Sequence, residues 1–548
     1  MSNREGRVAQ GRWRKTGLFG ALVLAVVGGC GKRETPVEAA RATGTLLIGN
    51  GGEPADLDPQ TVTGSPESNL VQALFEGLVR YDPVTLDPLP GVAKRWELAD
   101  DGVTYTFHLR AEAMWSDGRP LTAHDFYGSY QRILAPELGS ENAEQLYFLA
   151  GGEAYHQGET TDFSTVGCRV IDAHTLELKV ARPTVFFVRM LAGRNWFPVP
   201  LHVLAQHDAL RRQGTSWTRE ENIVGNGPFV LGTWKRNQYI EVDRSPTYWD
   251  REHVALKHVR FFAMENLSTE EAAFRAGQLH KTLNLPVDRI DTYRREHPEQ
   301  LQVASYSGVY YYSFNVKRPP FDDARVRRAL ALALNREAIT HDVTRGSQGP
   351  APRFLPAGVS GYTSTVPGYT FDPEAARHWL AEAGYPGGAG FPVTTLLYNT
   401  ADNHRVIAEA AQQMWRRELG IDVRIENQEW KVYLSNMHLG NFDMTRAGYL
   451  VAPDDPTRFL EAFSTGHGFN VGQWSDANYD AMLQAALNET EPGARAKIFH
   501  AMETRLTEAT PVAPIYYYSN VFLLRPEVKN WTNNLLGNYP LREVSLTP

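Results

Sequence analysis

The side chains best suited to ligand chemistry in this chain lie in residues 404–456. His404 and Arg446 are potential anion ligands, and Trp430 between them offers an aromatic surface. Residues 448–450 begin with glycine and are able to lie extended. A forked guanidinium beside an extended backbone suits a charged, extended ligand, and this stretch holds no obvious bond-breaking group.

No enzyme motif accompanies these residues. The sequence has no His-Glu-x-x-His, no Gly-x-Ser-x-Gly and no phosphate-binding loop ending in Gly-Lys-Ser/Thr. None of the 16 histidines has zinc-ligand spacing with a cysteine. The glycine-rich residues 384–390 follow a helix pattern instead of opening one, which indicates a loop. We therefore expect no catalytic residue, no metal site and no cofactor.

The elements that must position these side chains are predicted most clearly over residues 393–426. An apolar strand from Val393 to Tyr398 precedes a helix that is capped by Asp402 or Asn403 and ends at Gly420. A second strand follows over residues 421–425, so a right-handed parallel crossover is expected. Other predictions are helices from Thr122, from Asp322 or Asp323, and from Asp372 to Gly384, and strands at 45–48, 104–109 and 175–180.

Length and charge limit the class of protein. The 548 residues are too many for one core, so two or three domains are expected. Residues 1–29 carry five basic residues and one acidic residue, and their removal takes the formal net charge from −8 to −12. This balance disfavours nucleic-acid binding, which requires a basic face.

The N-terminus has the features of an export signal. A basic segment and an apolar run precede Gly28-Gly29-Cys30, which predicts a signal peptide over residues 1–29 and resembles a bacterial lipobox with Cys30 as the acylated residue. An ordinary signal peptide with an incidental Cys30 is the alternative. Residues 30–44 are then a polar tether, and Cys168, left without a partner, is interpreted as a small buried apolar residue.

Many short segments, in one order, resemble those of a known family. The chain resembles periplasmic oligopeptide-binding proteins of ABC importers, the extracellular peptide- and nickel-binding class of solute-binding protein family 5. The matching segments run from about residue 46 to the C-terminus and include residues 57–59, 74–78, 90–93, 115–118, 226–228, 244–249, 310–312, 319–322, 397–400, 427–431, 446–448 and 516–518.

The resemblance implies a bilobal α/β periplasmic-binding-protein fold with an extra domain and hinge closure over the ligand. The implied domains are residues 45–65 with 201–307 and 520–548 (I), 66–200 (II) and 308–519 (III). The chain crossings near 307 and 519 are the expected hinge. A receptor for many peptide sequences is expected to grip the shared backbone as an added strand. The segments implied to face the ligand are Gly448, Tyr449 and Leu450, then Glu53 to Ala55, then Asn284.

Four side chains have implied roles in the site. Arg446 and His404 match residues that receive the peptide carboxylate at different ligand lengths. The alternatives are an internal salt bridge for Arg446 and a local hydrogen bond at a helix start for His404. Trp430 and Tyr518 match pocket walls, with ordinary core packing as their alternative.

The family pattern is broken at Ala452, where relatives place an aspartate against the peptide α-ammonium. Met437 also stands where many relatives have arginine, and Gly308 and Leu450 where some have a cysteine pair. Three explanations for Ala452 remain open. Asp454 or Asp455 substitutes, the ligand lacks a free α-amine, or the scaffold serves another solute. We prefer the second as a hypothesis, because alanine leaves space and no charge.

The resemblance implies a monomeric binding lipoprotein of the periplasm or cell envelope. It would be held at the membrane surface by lipid and would deliver peptide to the membrane permease of an ABC importer, or pass ligand occupancy to a membrane partner as a sensor. The alternative from another class is a secreted hydrolase acting on peptide-like or cell-wall material.

Overall fold

The computed structural model describes residues 34–452, 455–539 and 541–547. The predicted signal peptide and Cys30 lie outside these residues, as do Pro453 and Asp454. None of the described helices combines the length and the apolar character needed to span a bilayer.

The described part of the chain is mixed α and β. Its strands are β1 (Thr45–Gly49), β2 (Val79–Tyr81), β3 (Pro88–Pro90), β4 (Ala93–Leu98), β5 (Thr104–Leu109), β6 (Cys168–Asp172), β7 (Thr175–Lys179), β8 (Phe229–Lys235), β9 (Tyr239–Arg244), β10 (His258–Phe262), β11 (Leu301–Phe314), β12 (Gly349–Pro350), β13 (Thr394–Asn399), β14 (Val423–Gln428), β15 (Met444–Leu450), β16 (Val512–Leu523), β17 (Val528–Lys529) and β18 (Ser545–Leu546). Its α-helices are α1 (Pro36–Thr43), α2 (Ser65–Leu74), α3 (Ala123–Leu134), α4 (Gly152–His156), α5 (Phe187–Met190), α6 (Leu201–Gln206), α7 (Leu267–Arg275), α8 (Ile290–Glu296), α9 (Ala324–Leu332), α10 (Arg336–Ala338), α11 (Pro373–Glu382), α12 (Asp402–Leu419), α13 (Trp430–His438), α14 (Thr457–Leu460), α15 (Ala477–Asn488) and α16 (Pro492–Ala509).

Three larger sheets organise the molecule. One has the order β1-β10-β9-β8, a second is β4-β5-β7-β6, and the third has six strands in the order β12-β16-β11-β15-β13-β14. The first two sheets share one continuous apolar core. The predicted α/β fold class with several sheets is confirmed.

The six-stranded sheet is covered on both faces, and β11 shows why. Its tyrosines alternate between two cores: Tyr310 and Tyr312 pack with α9, α11 and α12, whereas Tyr311 packs with α15 and α16. Alternation with period two sends neighbouring side chains to opposite faces of a sheet. A run of three tyrosines therefore serves two cores and fixes the position of β11 in the middle of the sheet.

The predicted strand–helix–strand unit is confirmed. β13 and β14 are parallel neighbours with α12 between them in sequence, and Gly420 ends the helix in the left-handed conformation at φ 70°. The cap is different from the prediction, because Ala401 occupies the N-cap position and makes no side-chain cap. Asp402 is instead the first helical residue.

Other helix starts follow the sequence signals. The Asp323 side chain accepts from Arg325 N, and the Asp372 side chain accepts from Ala375 N at 2.9 Å. At α3, Asp125 Oδ2 accepts from Thr122 N at 2.8 Å, as the capping-box spacing predicts.

The prediction of a tether over residues 30–44 is wrong for residues 36–43, which form α1. The Glu38 carboxylate accepts from Thr35 N at 2.7 Å and closes a capping box. Val37 and Leu47 are buried together in a small apolar cluster. The polar composition of the segment did not indicate a helix, because a short helix needs only a few apolar residues to pack against the edge of a sheet.

β11 and β16 both run past the predicted chain crossings near residues 307 and 519. Their ladder pairs Leu301–Ser305 with 519–523, then shifts register before resuming at Val309 with Tyr517. The two longest strands are thus continuous through this point, but their hydrogen bonding is interrupted there.

Candidate ligand-binding site

In the described part of the chain, one edge of β15 lacks a strand partner along much of its length, in the segment that the sequence predicts to face the ligand. β11 pairs with β15 along residues 444–450, whereas β13 pairs with it at Met444 and Thr445 among the described pairings. Beyond Thr445 the second edge of β15 has no strand partner among the described residues. An unpaired edge presents main-chain donors and acceptors to an added strand.

One contact shows which residues face this open edge. Val451 N donates to Ser307 O at 3.3 Å, continuing the register of the β11–β15 ladder. Backbone groups alternate in direction along an antiparallel strand, so Tyr449 also bonds toward β11. Gly448 and Leu450 therefore direct their N–H and C=O groups to the open edge.

Tyr449 was predicted as a ligand-facing residue, and the structure assigns it to the protein interior instead. Its side chain is buried and its Oη donates to Arg458 O at 2.7 Å. The sequence could not show that Tyr449 differs from Gly448 and Leu450, because the partner strand decides which residues of a strand bond toward it.

Position 448 of β15 needs a glycine because Tyr518 of β16, two strands away in the sheet, approaches it closely. A Cβ atom at this position would lie 2.6 Å from Tyr518 Oη. The same hydroxyl bonds to Arg446 Nη2 at 3.1 Å. The absence of a side chain at Gly448 therefore lets Tyr518 of β16 reach across the sheet face and hold the arginine.

Arg446 is held by neutral groups. Its Nη1 donates to Asn399 Oδ1 at 3.2 Å and its Nη2 to Tyr518 Oη at 3.1 Å, and its guanidinium lies 4.8 Å from the Tyr310 ring centre. The internal salt bridge that the sequence left open is not formed with any described residue. Buried Arg446 Nε has no hydrogen-bond partner among the described residues. This cation is oriented and available to an anion.

His404 lies beside the same cluster. Its ring centre is 5.5 Å from that of Tyr310, and its buried Nδ1 has no hydrogen-bond partner among the described residues. Burial, with a smaller contribution from the Arg446 charge, lowers the pKa of His404 to about 4. The imidazole is therefore neutral at pH 7.

The two predicted aromatic walls differ. Trp430 is 50% exposed and stacks on Tyr433 with ring centres 5.7 Å apart, so it is not a core residue. Tyr518 is partly buried and packs edge-on against Tyr516 at 5.4 Å.

A cleft of about 470 Å³ continues from the end of β15. Its lining includes Leu450, Val451 and Ala452 on one side and the predicted Asn284 on another. The volume is within the usual range for small-ligand sites. The backbone edge and the cleft are thus contiguous, with Arg446 at one end and Ala452 at the other.

Glu53 and Ala55 form hydrogen bonds with residues that do not line the cleft. The Glu53 carboxylate accepts from Trp234 Nε1 at 2.7 Å and from Asn237 N at 3.1 Å. Ala55 N donates to Glu67 Oε1 at 2.9 Å. Among the described residues that line the cleft, neither predicted residue is present.

Asp455 is not a substitute amine anchor. It is buried and forms a bidentate pair with Arg495 at 2.6 and 2.9 Å, while its Oδ1 also accepts from Thr457 N. Breaking such a buried pair is costly. Of the two acids considered from sequence, Asp454 lies outside the described residues.

The structure also shows the surroundings of the other two departures from the family pattern, the Gly308 and Leu450 pair and Met437. Gly308 and Leu450 are directly opposite each other in the β11–β15 ladder. Met437 packs with a small apolar cluster that includes Tyr433.

Two cations near Ala452 were not found from the sequence. Lys281 lines the same cleft, and Arg194 lines both this cleft and an adjoining cavity of about 160 Å³ to which Ala452 also contributes. No motif marks either residue, because they come from distant parts of the chain.

One group of potential metal ligands occurs among the described residues: Glu241, Asp243 and His258. Their atoms form cross-strand ion pairs, with His258 Nδ1 2.6 Å from Asp243 Oδ1 and Arg260 Nη2 2.6 Å from Glu241 Oε2. The group lies on β9 and β10 and does not contribute to the described lining of the cleft.

Comparison with known proteins agrees with this architecture. The family model for bacterial extracellular solute-binding proteins, family 5 (middle region), matches residues 87–470. The periplasmic oligopeptide-binding protein OppA of Escherichia coli (strain K12) is 35% identical over 91% of this chain and 90% of its own length. The probable deoxycholate-binding periplasmic protein YgiS of the same strain is also 35% identical, over 90% of both chains.

Solved structures show the same fold. The unliganded open form of the periplasmic murein tripeptide-binding protein MppA superposes with a TM-score of 0.83 at 33% identity, covering 92% of this chain and 97% of that one. The chain belongs to the family 5 extracellular solute-binding proteins, with their multi-domain α/β fold. It is a binding protein and not an enzyme, so the hydrolase alternative is wrong.

Proposed function

We propose that this protein captures peptides by adding the ligand backbone to the open edge of β15, and delivers them to the membrane permease of an ABC importer. The observation that carries the proposal is the direction of Gly448 and Leu450, which offer main-chain donors and acceptors beside an oriented Arg446. Strand addition reads the backbone common to all peptides. The relatives named as oligopeptide- and murein peptide-binding proteins support the ligand class.

The ligand is proposed to run with its carboxylate at Arg446, near His404, and its other end at Ala452. Arg446 and Ala452 are six residue steps apart, a distance of roughly 20 Å at about 3.4 Å per step if the chain stays extended. Asp455 is paired with Arg495, and no Asp or Glu is among the described residues that line the cleft. We propose that the preferred ligands lack a free α-amine.

Calorimetry with N-acetyl-trialanine and backbone-methylated analogues tests the strand pairing. Methylation of an amide that faces β15 removes a donor and adds bulk, so the affinity is expected to fall roughly tenfold to a hundredfold, as for a buried group left unpaired. Replacing an alanine side chain by serine is the matched control and should change affinity little. Full affinity for every methylated analogue would refute backbone capture.

The membrane attachment is proposed from the sequence, through an acylated Cys30, with the protein in the periplasm or cell envelope and acting as a monomer. Intact-mass analysis of the protein from its native membrane, against a Cys30→Ser variant, tests the anchor. A mature chain that begins at Cys30 with a diacylglycerol mass increment supports it. An unmodified chain released from membranes by salt would count against it.

A further inference from the structure

The end of the cleft beside Ala452 is positively charged. Two cationic side chains, Arg194 and Lys281, line the cleft and its adjoining cavity with Ala452, and no described lining residue is an Asp or Glu. The rest of the polar lining is mainly amide and hydroxyl groups, such as Gln72 and Asn284. This arrangement is the opposite of what a ligand ammonium requires.

Arg194 has unused hydrogen-bonding capacity. Its Nη2 donates to Val62 O at 3.1 Å, while its buried Nε has no hydrogen-bond partner among the described residues. Burial lowers its pKa, opposed by the charge of Glu67. Glu67 forms no salt bridge with it among the described residues, and Glu67 Oε1 accepts from Ala55 N. A carboxylate is the natural partner of such a guanidinium.

Lys281 is a buried amine that is held in place, and burial, opposed by the charge of Glu270, lowers its pKa to about 7. Its Nζ donates to Thr282 O and to Tyr539 Oη, both at 3.0 Å, and lies 4.3 Å from the ring centres of Phe522 and Tyr539. Aromatic faces stabilise a desolvated ammonium. An anion in the cleft would stabilise this ammonium further, whereas a second ammonium would repel it.

We infer that the Ala452 end of the cleft binds a carboxylate carried by the ligand, so that the preferred ligands are anionic at both ends. Within the proposed function, on which this inference rests, the ligand class is a peptide whose amino terminus is acylated by a dicarboxylic acid. The terminal carboxylate of that acyl group meets Arg194 and Lys281, and the peptide carboxylate meets Arg446. This goes beyond the loss of an amine anchor, because it assigns a positive partner to that end.

Three matched probes test the inference by calorimetry: pentaalanine, N-acetyl-pentaalanine and N-succinyl-pentaalanine. Five extended residues with an acyl group are long enough to cover the roughly 20 Å between Arg446 and Ala452. The succinyl form is expected to bind about tenfold or more tightly than the acetyl form, and the free amine more weakly than both. Arg194→Gln is expected to bring the succinyl-to-acetyl ratio close to one. Lys281→Met should reduce the same ratio, which keeps the test valid if one variant does not fold.

Two further variants are measured with the same three peptides, one as a control and one that should reverse the preference. Arg169→Gln changes an exposed arginine that pairs with Glu177 on the β6–β7 surface, so the wild-type ratio is expected to persist. Ala452→Asp should shift the preference toward the free amine.

Equal affinity for succinyl and acetyl forms would overturn the inference and leave backbone capture intact. Tightest binding of free pentaalanine would overturn it, and loss of that binding in Asp454→Asn would assign the amine anchor to Asp454. Failure of all three peptides to bind would reject the proposed function itself.

Discussion

At the scale of single residues, the site depends on cations that the protein leaves without anionic partners. Arg446 bonds to Asn399 and Tyr518, both neutral, and is partly buried at the sheet face. A partly buried charge without an ionic partner is unfavourable in the free protein. In the binding mode that we propose, a ligand carboxylate supplies the missing charge, so binding and local stabilisation are linked.

Arg446→Gln is expected to weaken binding of an N-acetyl peptide by roughly 30-fold or more, since removing one partner of a buried charged pair costs about 2–5 kcal/mol. Arg446→Lys should give an intermediate loss, because an ammonium lacks the forked geometry. Titration calorimetry of the same peptide with an amidated C-terminus is the control. An equal loss for the amidated peptide would contradict the assigned role.

His404 should make binding depend on pH. Its pKa is about 4 in the free protein because of burial and Arg446, below the usual value of about 6.5. A ligand carboxylate nearby favours the imidazolium and raises this pKa on binding. At pH 5.5 the complex therefore takes up a proton that the free protein lacks, and affinity increases as pH falls from 6.5 towards 4.

Calorimetry at pH 5.5 in buffers of different ionisation enthalpy measures this proton uptake. The His404→Gln variant is expected to show none. Because Arg446 and three tyrosines, Tyr310, Tyr516 and Tyr518, surround the site and do not titrate near pH 5.5, a proton uptake that persists in His404→Gln would assign it to another group.

At the scale of elements, β15 combines a paired edge and an open edge. Its neighbour β11 fixes the phase, and β13 diverges after Thr445. Strand order thus leaves an open edge inside a six-stranded sheet instead of at its border. The short contact between β13 and β15 leaves room for the ligand strand that we propose.

The β11–β15 register predicts where a cross-link fits. Gly308 and Leu450 are opposite each other, and the alternation set by Val451 makes them a pair that exchanges no hydrogen bonds, with Cα atoms about 4.5 Å apart. Oxidised Gly308→Cys/Leu450→Cys is expected to form a disulfide and to unfold at a higher temperature. The gain should be at the low end of about 2–4 kcal/mol, because a Cβ at 308 lies 3.0 Å from Tyr518.

Thiol titration and thermal unfolding, with and without reductant, measure this effect. Each single cysteine variant is the control. Two more free thiols in the oxidised double variant than in the unsubstituted protein, which already has Cys168, would show that the register differs from the one described.

At the scale of the whole molecule, the fold superposes on an open, unliganded relative. The β11–β16 ladder shifts register at residues 305–309, close to the expected crossings near 307 and 519. A break in a ladder allows backbone rotation without loss of further hydrogen bonds. We propose this segment as the hinge between the lobes, with the three domains divided as the sequence implies.

Hinge closure should be visible in solution. Small-angle scattering is expected to show a smaller radius of gyration when a saturating N-acylated peptide is added, because the lobes close over the cleft. An unchanged radius at saturation would mean that binding does not require closure.

Much of the fold was available from the sequence because its signals are local. The caps at Asp323 and Asp372, the stop at Gly420 and the alternation of β5 depend on neighbours in the chain. The same locality explains the errors. Ala401 replaced the expected cap by one position. α1 formed in a segment whose composition is polar, because its capping box of Thr35 and Glu38 and its C-terminal Gly44 are signals of position and not of composition.

The sequence by itself indicated the family, predicted Arg446 and Ala452 as the two ends of the site and marked the missing aspartate at Ala452. Only the tertiary structure decided which residues lie together. It buried the Tyr449 side chain, paired Asp455 with Arg495, and brought Arg194 and Lys281 to the cleft. Strand phase and charge pairing are set by residues far apart in the chain, and no local pattern encodes them.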